Sequence, residues 1–389
     1  MTAFGANDPT STQAGNSAYW YCEKCNKYFS DENGENEIEE YSWVIPALGH
    51  TPGAAFRENE VPATATQAGS YDEVICCEVC GAEISRTTVE VPVKAHAVLK
   101  NITASFDGMI RMNYYISVPE ELADGAYAEF TVGDEKKQVA VADAEYDEKN
   151  GGYKFSISML AAQVKDDVNI RLYSADGTPA DLTSASGATV FTETGIDYSV
   201  ENYLNFCIDN ADMAEDAKAL AKAAKDYCYT VSNYFSGTDY ALSEDVDAVA
   251  NESLAAYKAS VEGAMFEGFS VAEVTAMFES DNTLRLYLNF ADGTDGFTFM
   301  VDGEPAELQM RESDGMLYLA AENIAAAELH KEHRFTVSKG EDSVTFIYSA
   351  LAYAKDSNAK YGAENEKIAQ MCKALYLYNQ AAKQYFHVD

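Results

Sequence analysis

An internal duplication constrains this chain more than any other feature. Ala217–Phe235 aligns with Ile368–Phe386 at a constant offset of 151. In both copies apolar residues recur every three or four positions, the spacing of one face of a helix. The aromatic identities shared by the copies are Tyr227/Tyr378, Tyr234/Tyr385 and Phe235/Phe386. We therefore expect two copies of one module, and we expect the repeated aromatic residues to be core.

Upstream of each repeated helix, the pattern changes to the alternation typical of strands. The alternating apolar residues are Ile110, Met112, Tyr114 and Ile116 in the first copy, and Leu284, Leu286, Leu288 and Phe290 in the second. Ala104-Ser105-Phe106 corresponds to Ala276-Met277-Phe278. Hairpin turns are expected at Asp107-Gly108, Gly133-Asp134, Asp302-Gly303 and Asp314-Gly315. Shorter helical segments at Val200–Asp209 and Ala350–Asp356 precede the long helices. Each module thus reads as a β-sandwich that ends in a helical hairpin.

The predicted fold class is mainly β with α (α+β), divided into five segments. Residues 1–55 and 56–97 are two small β-rich C-x-x-C repeats, and residues 98–236 and 265–389 are the two sandwich modules. Between the modules, residues 237–264 are predicted to contain a linker helix. The signals for that helix are apolar residues at helical spacing from Val246 to Val261, behind an N-terminal signal at Ser243.

The two N-terminal repeats carry candidate metal ligands. Each has a Thr-Gln-Ala-Gly turn, at residues 12–15 and 66–69, followed by a C-x-x-C turn and a closing histidine. The candidate zinc ligands are Cys22, Cys25 and His50 in the first repeat, and Cys77, Cys80 and His96 in the second. Two thiolates two residues apart can hold one tetrahedral ion, and a histidine adds a nitrogen. Each repeat supplies three ligands where a closed zinc site uses four, so a local disulfide and free thiols remain alternatives. No other cofactor is expected.

The charge of the chain narrows its possible partners. It has 64 acidic and 27 basic side chains, for a formal net charge of −37. A surface that binds nucleic acid needs basic groups to neutralise phosphates, so nucleic acid is excluded as a partner. No stretch approaches the roughly 18–20 consecutive apolar residues of a membrane-spanning helix, so membrane insertion is not expected. Acidity, 26 tyrosines and few arginines favour a secreted or cell-surface location.

Two unrepeated tyrosines are the candidate partner-binding residues. Tyr229 and Tyr376 lie on the repeated helices but have no aromatic counterpart in the other copy. We therefore expect them to be exposed, where an aromatic ring can anchor a partner protein or stack on a sugar.

The N-terminal repeats also resemble a known class of module. The run from Ala63 to Pro92, with its Thr-Gln-Ala-Gly, Cys-Cys-Glu-Val-Cys-Gly and a closing histidine, resembles short tandem repeats of large secreted or surface proteins of gut Gram-positive anaerobes. Members usually carry a cysteine where Ser11 and Ala65 stand here. The resemblance implies a surface setting and a spacer-like role, and it implies no reaction.

Residues Val98–Phe235 are similar to a second kind of module in the same class of proteins. In those modules an immunoglobulin-like sheet is followed by helices that end in a Tyr- and Ala-rich stretch. Here that stretch is 221–227 in the first copy and 373–379 in the second. The resemblance implies a tandem extracellular unit.

The expected function is a non-catalytic extracellular binding or adhesion region of a modular bacterial protein. Its partner would be a host protein, either immunoglobulin or a mucosal glycoprotein. The chain has no G-x-S-x-G, phosphate-binding glycine loop or H-E-x-x-H motif, so it is not expected to be an enzyme. The alternative is a carbohydrate-binding accessory region of a larger glycan-degrading enzyme. That alternative requires Tyr229, Tyr376, Tyr115 and Tyr287 to be exposed together.

Overall fold

The computed structural model describes residues 1–106, 108–277 and 282–388. They form two compact units, Met1–Ala95 and His96–Asp389. Antiparallel sheets dominate both units, and the long helices lie in the second, which confirms the mainly β (α+β) class. The expected turn at Asp107-Gly108 and the correspondence involving Phe278 fall partly outside the described residues. None of the described helices is both long and apolar enough to cross a membrane.

The first unit is built from short strands in three sheets. The strands are β1 (Thr2–Phe4), β2 (Gly15–Asn16), β3 (Tyr19–Cys22), β4 (Lys27–Phe29), β5 (Glu37–Ile38), β6 (Val44–Ile45), β7 (Phe56–Val61), β8 (Gly69–Cys76) and β9 (Glu83–Val91). The sheet orders are β1-β3-β4-β5, β2-β6 and β7-β8-β9. Stacked rings take the place of a larger core in the first repeat. Tyr19 lies 4.6 Å from Phe4 and 4.0 Å from Trp43, measured between ring centroids.

In the second unit, the first module is a sandwich of two sheets followed by two helices. Its elements are β10 (Ala97–Phe106), β11 (Ile110–Ser117), α1 (Glu120–Ala123), β12 (Tyr127–Val132), β13 (Glu135–Ala140), β14 (Glu145–Asp147), β15 (Gly152–Met159), β16 (Val168–Tyr173), β17 (Leu182–Ser184), β18 (Ile196–Tyr198), α2 (Val200–Asp209) and α3 (Glu215–Phe235). The sheet orders are β14-β15-β11-β10-β17 and β13-β12-β16-β18. The sheets share one core, in which the ring of Tyr114 lies 5.8 Å from that of Phe130.

The second module repeats this plan. Its elements are α4 (Glu244–Ala248), α5 (Asn251–Leu254), β19 (Ser260–Gly263), β20 (Phe269–Met277), β21 (Thr283–Phe290), β22 (Phe297–Val301), β23 (Glu304–Pro305), β24 (Gln309–Met310), β25 (Leu317–Ala321), β26 (His333–Lys339), β27 (Asp342–Tyr348), α6 (Ala350–Tyr361) and α7 (Glu366–Phe386). The sheet orders are β20-β21-β25-β24 and β19-β27-β26-β22-β23. The pairs β10–β11 and β20–β21 each contain a register shift, so the copies share even this irregularity.

The linker helix predicted within residues 237–264 is wrong as a continuous element. The segment forms the short helices α4 and α5 and then the strand β19, which pairs with β27. Ala250 adopts an extended conformation with ψ 143°, which ends the helical path after α4. Val261, counted in the helical pattern, is 54% exposed on β19. Backbone hydrogen bonds to β27 hold residues 260–263 as a strand and not as a helix.

The long helices α3 and α7 pack against each other, and one aromatic pair lies at their contact. Tyr227 and Tyr378 are each 3% exposed, and their rings stack at 5.2 Å with an angle of 11° between the planes. Because the two tyrosines are equivalent in the duplication, the stack joins the modules through the same position of each. Their prediction as core residues is confirmed.

The same prediction is wrong for the other repeated aromatic residues. Tyr234, Phe235, Tyr385 and Phe386 are 38–53% exposed. They occupy the last turns of α3 and α7, beyond the buried contact of the helices. Identity between copies therefore marks two things here, a core position at Tyr227 and Tyr378 and a surface position at the helix ends.

We predict that Tyr378→Ala destabilises the second unit by about 3–5 kcal/mol, because it removes a fully buried ring and leaves Tyr227 without its stacking partner. Urea unfolding followed by far-UV circular dichroism measures the change. Val261→Ala, at an exposed position of β19, is the control and should change stability by less than about 0.5 kcal/mol. Equal losses for the two variants would contradict a central role for the stack.

Candidate metal centre

The two C-x-x-C motifs form the same turn. Cys22 ends β3 and Cys77 directly follows β8. In the first turn the N–H of Asn26 donates to the carbonyl of Cys22 at 2.8 Å, and in the second the N–H of Gly81 donates to that of Cys77 at 2.9 Å. Asn26 and Gly81 both have left-handed φ values, 55° and 73°. Asparagine and glycine tolerate that region best, so each sequence suits its turn.

In the part of the chain that the structure describes, a histidine lies next to the second turn and not next to the first. The segment that follows His50 runs alongside the turn: the N–H of Glu78 donates to the carbonyl of Thr51 at 3.0 Å, and the N–H of Gly53 donates to that of Cys76 at 2.9 Å. This pairing places His50 Nδ1 3.3 Å from Cys80 Sγ. The ligand atoms of His50, Cys77 and Cys80 all lie within 4.8 Å of one another.

Backbone donors favour the ionised form of one thiol. Cys77 is buried, and its pKa is lowered to about 6. The largest cause is a hydrogen bond from the backbone N–H of Cys80, with further bonds from the N–H of Val79 and from the His50 side chain, while burial acts in the opposite direction. The thiolate is the form of cysteine that binds metal, so this cysteine is prepared for ligation near neutral pH.

The geometry and donor set fit zinc. Zinc–sulfur bonds of about 2.3 Å and zinc–nitrogen bonds of about 2.0 Å, at tetrahedral angles, separate the two donor atoms by roughly 3.5 Å. The observed separation of 3.3 Å between Nδ1 of His50 and Sγ of Cys80 is close to that value. The three protein ligands leave one tetrahedral position for a further ligand. Within residues 1–106, 108–277 and 282–388, no other group of three such ligands converges in this way.

The pairing of ligands across the repeats differs from the sequence-based assignment. His50 was expected to act with Cys22 and Cys25, but it lies with Cys77 and Cys80 of the following repeat. His96 was expected at that second turn and is not part of the group. Because His50 directly precedes the segment that pairs with residues 76–78, it belongs spatially to the second repeat. The order of residues along the chain does not indicate that His50 lies with the second turn.

Among the described residues, the first turn therefore has two candidate ligands, Cys22 and Cys25, and no histidine beside them. The thiol of Cys25 interacts with Cys22, which lowers the pKa of Cys22 and raises that of Cys25. All eight cysteines lie in the described part of the chain, and none of them forms a disulfide.

The candidate partner-binding tyrosines are not an exposed pair. Tyr229 is 7% exposed, its hydroxyl donates to Glu201, and Lys165 Nζ lies 5.1 Å from the centre of its ring. Tyr376 is half-buried, with its ring 6.4 Å from that of Tyr257. The expectation of exposure is therefore wrong for Tyr229, because α2 and the segment at Lys165 cover the face of α3 that carries it.

The tyrosines on the sheets are buried as well. Tyr115 is 7% exposed and Tyr287 is 2% exposed. The four tyrosines named for sugar stacking thus do not form an exposed array.

Comparison with known proteins does not place the chain in a family. No protein-family model and no curated protein matches it. One solved structure with partial similarity is the S-layer protein SbsC, domains 7, 8 and 9, at 8% sequence identity and a TM-score of 0.16. The alignment covers 73% of this chain and 69% of that one. Similarity at this level supports no conclusion about fold or function.

We predict that the chain binds one zinc ion, which is lost in His50→Ala and Cys80→Ser. The physical reason is the convergence of these two side chains with Cys77. Native mass spectrometry before and after a chelator measures the metal content. Cys22→Ser and His96→Ala are the matched controls and should retain the ion. Loss of zinc from His96→Ala, with retention by His50→Ala, would restore the assignment by repeat order.

Zinc affinity should depend on pH through Cys77. Because its pKa of about 6 is below the ordinary value of a thiol, Cys77 is a thiolate above pH 6 and becomes protonated below it. We expect zinc affinity to fall by at least about tenfold per pH unit below pH 6, since a proton then competes for the ligand. Competition titration with a zinc-sensitive dye between pH 5 and 8 measures this. A constant affinity across that range would contradict thiolate ligation.

Proposed function

We propose that this chain is a non-catalytic, extracellular binding region of a modular bacterial secreted or surface protein, and that zinc stabilises its N-terminal unit. The observation that carries the proposal is the convergence of His50, Cys77 and Cys80 across the junction of two repeats. A metal ion at that place links the segment that joins the two repeats to the C-x-x-C turn of the second repeat. Such a role is typical of a spacer that must keep its shape while displaying other domains.

The composition of the N-terminal unit supports a structural role for the metal. Among the described residues of this unit the buried apolar side chains are few, namely Phe29, Trp43, Ala63, Ala65, Val74 and Cys77. Small units that bury little apolar surface usually need a metal or a disulfide to be stable. Zinc would supply a cross-link whose binding free energy adds to the folding free energy.

The binding role is supported by the duplicated modules and the charge. A net charge of −37 keeps the chain soluble and speeds association with a basic surface. The structure adds large exposed aromatic side chains at equivalent places of the two modules, Tyr234–Phe235 and Tyr385–Phe386. Aromatic residues are enriched among those that dominate binding energy in protein interfaces. The proposed partner is a host protein, with immunoglobulin and a mucosal glycoprotein as candidates.

The glycan-binding alternative receives less support. Sugar stacking needs open aromatic faces, and Tyr115, Tyr229 and Tyr287 are buried. In the first repeat the two faces of Tyr19 are occupied by Phe4 and Trp43. The protein-binding proposal is therefore preferred.

Zinc removal should destabilise the N-terminal unit selectively. We predict that a chelator lowers the hydrogen-exchange protection of Met1–Ala95 and leaves that of residues 96–389 unchanged, because the ligands all lie in the first unit. Hydrogen exchange of the intact chain, read peptide by peptide, separates the two units. His50→Ala should reproduce the effect without chelator, and His96→Ala should not. Equal loss of protection in both units would contradict a local structural role.

Partner binding is tested with the intact chain on a biosensor surface, against purified immunoglobulin and mucin. We expect micromolar or tighter binding to one of them, with an association rate that falls as salt is added, because exposed charges are screened. An array of free glycans run in parallel tests the alternative. Binding to glycans with no binding to either protein would overturn the proposal in favour of the carbohydrate-binding role.

A further inference from the structure

The two modules contain equivalent apolar cavities. The first, of about 350 Å³, lies between β10, α2 and α3, and the second, of about 280 Å³, lies between β20, α6 and α7. Corresponding lining residues are Ala104/Ala276, Tyr203/Tyr353 and Leu220/Met371. The cavities are therefore a property of the module and not an accident of one copy.

The rim of each cavity comes from the other module. Tyr385 and Phe386, at the end of α7, border the cavity of the first module. Tyr234 and Phe235, at the end of α3, border that of the second. The reciprocal exchange explains why these aromatic residues recur in both copies although they are half exposed. Helices α3 and α7 each continue beyond the Tyr227–Tyr378 contact, and the last turn of each helix lies against the other module.

The floor of each cavity is buried and uncharged. Leu204, Cys207 and Leu220 in the first are at most 8% exposed, and so are Ala354, Cys372 and Leu375 in the second. None of the described residues that line either cavity is charged, although 23% of the chain is. A neutral floor disfavours a charged group on the part of the ligand that reaches it, because the charge would be desolvated there without a partner.

The space persists although the lining residues differ between copies. Cys207 corresponds to Ser357 and Leu204 to Ala354, yet neither substitution brings a side chain that fills the cavity. An apolar cleft that stays open in both copies leaves apolar side chains in contact with water. A bound apolar molecule would cover that surface and so stabilise the module. The volumes lie near the lower end of the roughly 300–1,000 Å³ of small-molecule pockets.

We propose that each module binds one small, neutral, largely apolar molecule in this cavity, so that the chain has two equivalent sites. The ligand contacts the buried floor of one module and the aromatic rim supplied by the other.

The test uses the intact chain and N-phenyl-1-naphthylamine, a neutral fluorophore that brightens in apolar surroundings. We expect saturable binding of two molecules per chain. The blocking variants Ala104→Trp and Ala276→Trp place a large ring at equivalent half-buried positions, one in each cavity. Each should reduce the stoichiometry from two to one, and the double variant should reduce it to zero. Val261→Trp, at an exposed position outside both linings, should leave it at two.

A second pair of variants protects the test against misfolding. Phe235→Ala and Phe386→Ala remove half-exposed rim residues, so folding should be retained. Each should weaken binding about threefold to tenfold at one of the two sites only. Absence of saturable binding by the wild-type chain would overturn the proposal. So would a stoichiometry that none of these variants changes.

Discussion

The stack of Tyr227 on Tyr378 is the contact on which the arrangement of the second unit depends. The rings lie at equivalent positions of the two copies, both buried, at the contact of α3 and α7. Two sandwiches joined by a flexible segment would be free to reorient. Here the long helices pack along each other, and Tyr378 also meets Phe106 of the first sandwich, at 6.2 Å between ring centroids. The duplicated modules therefore form one compact unit.

The same contact explains where the C-terminal ends of α3 and α7 lie. Because each helix continues beyond the stack, its final turn leaves its own module and reaches the other. Lys367, at the start of α7, donates to the carbonyls of Asn233 and Thr238 at 2.7 and 3.0 Å and so holds the end of α3 in place. The exposed aromatic pairs are fixed by this geometry, and with them the rims of both cavities.

The N-terminal unit is stabilised in a different way from the second unit. It buries few aliphatic side chains, and its first repeat relies on stacked rings around Tyr19 and Trp43. Its second repeat relies on the short pairing of residues 51–53 with 76–78, next to the candidate metal ligands. Both devices fix a small fold at a few points, which suits a unit without a large core.

Hydrophobic periodicity in the sequence determined the mainly β class, the duplicated modules and the buried pair Tyr227/Tyr378, because strand and helix spacings are local properties of the chain. The residue types of the metal centre were also readable, since a C-x-x-C turn needs only neighbouring residues. Only the tertiary structure decided that His50 joins the following repeat, that β27 recruits residues 260–263 as a strand, and that Tyr229 is covered while Phe235 is not. Each of these outcomes depends on which segment, distant along the chain, packs against the residue in the fold. The local spacing of residue types does not specify that segment.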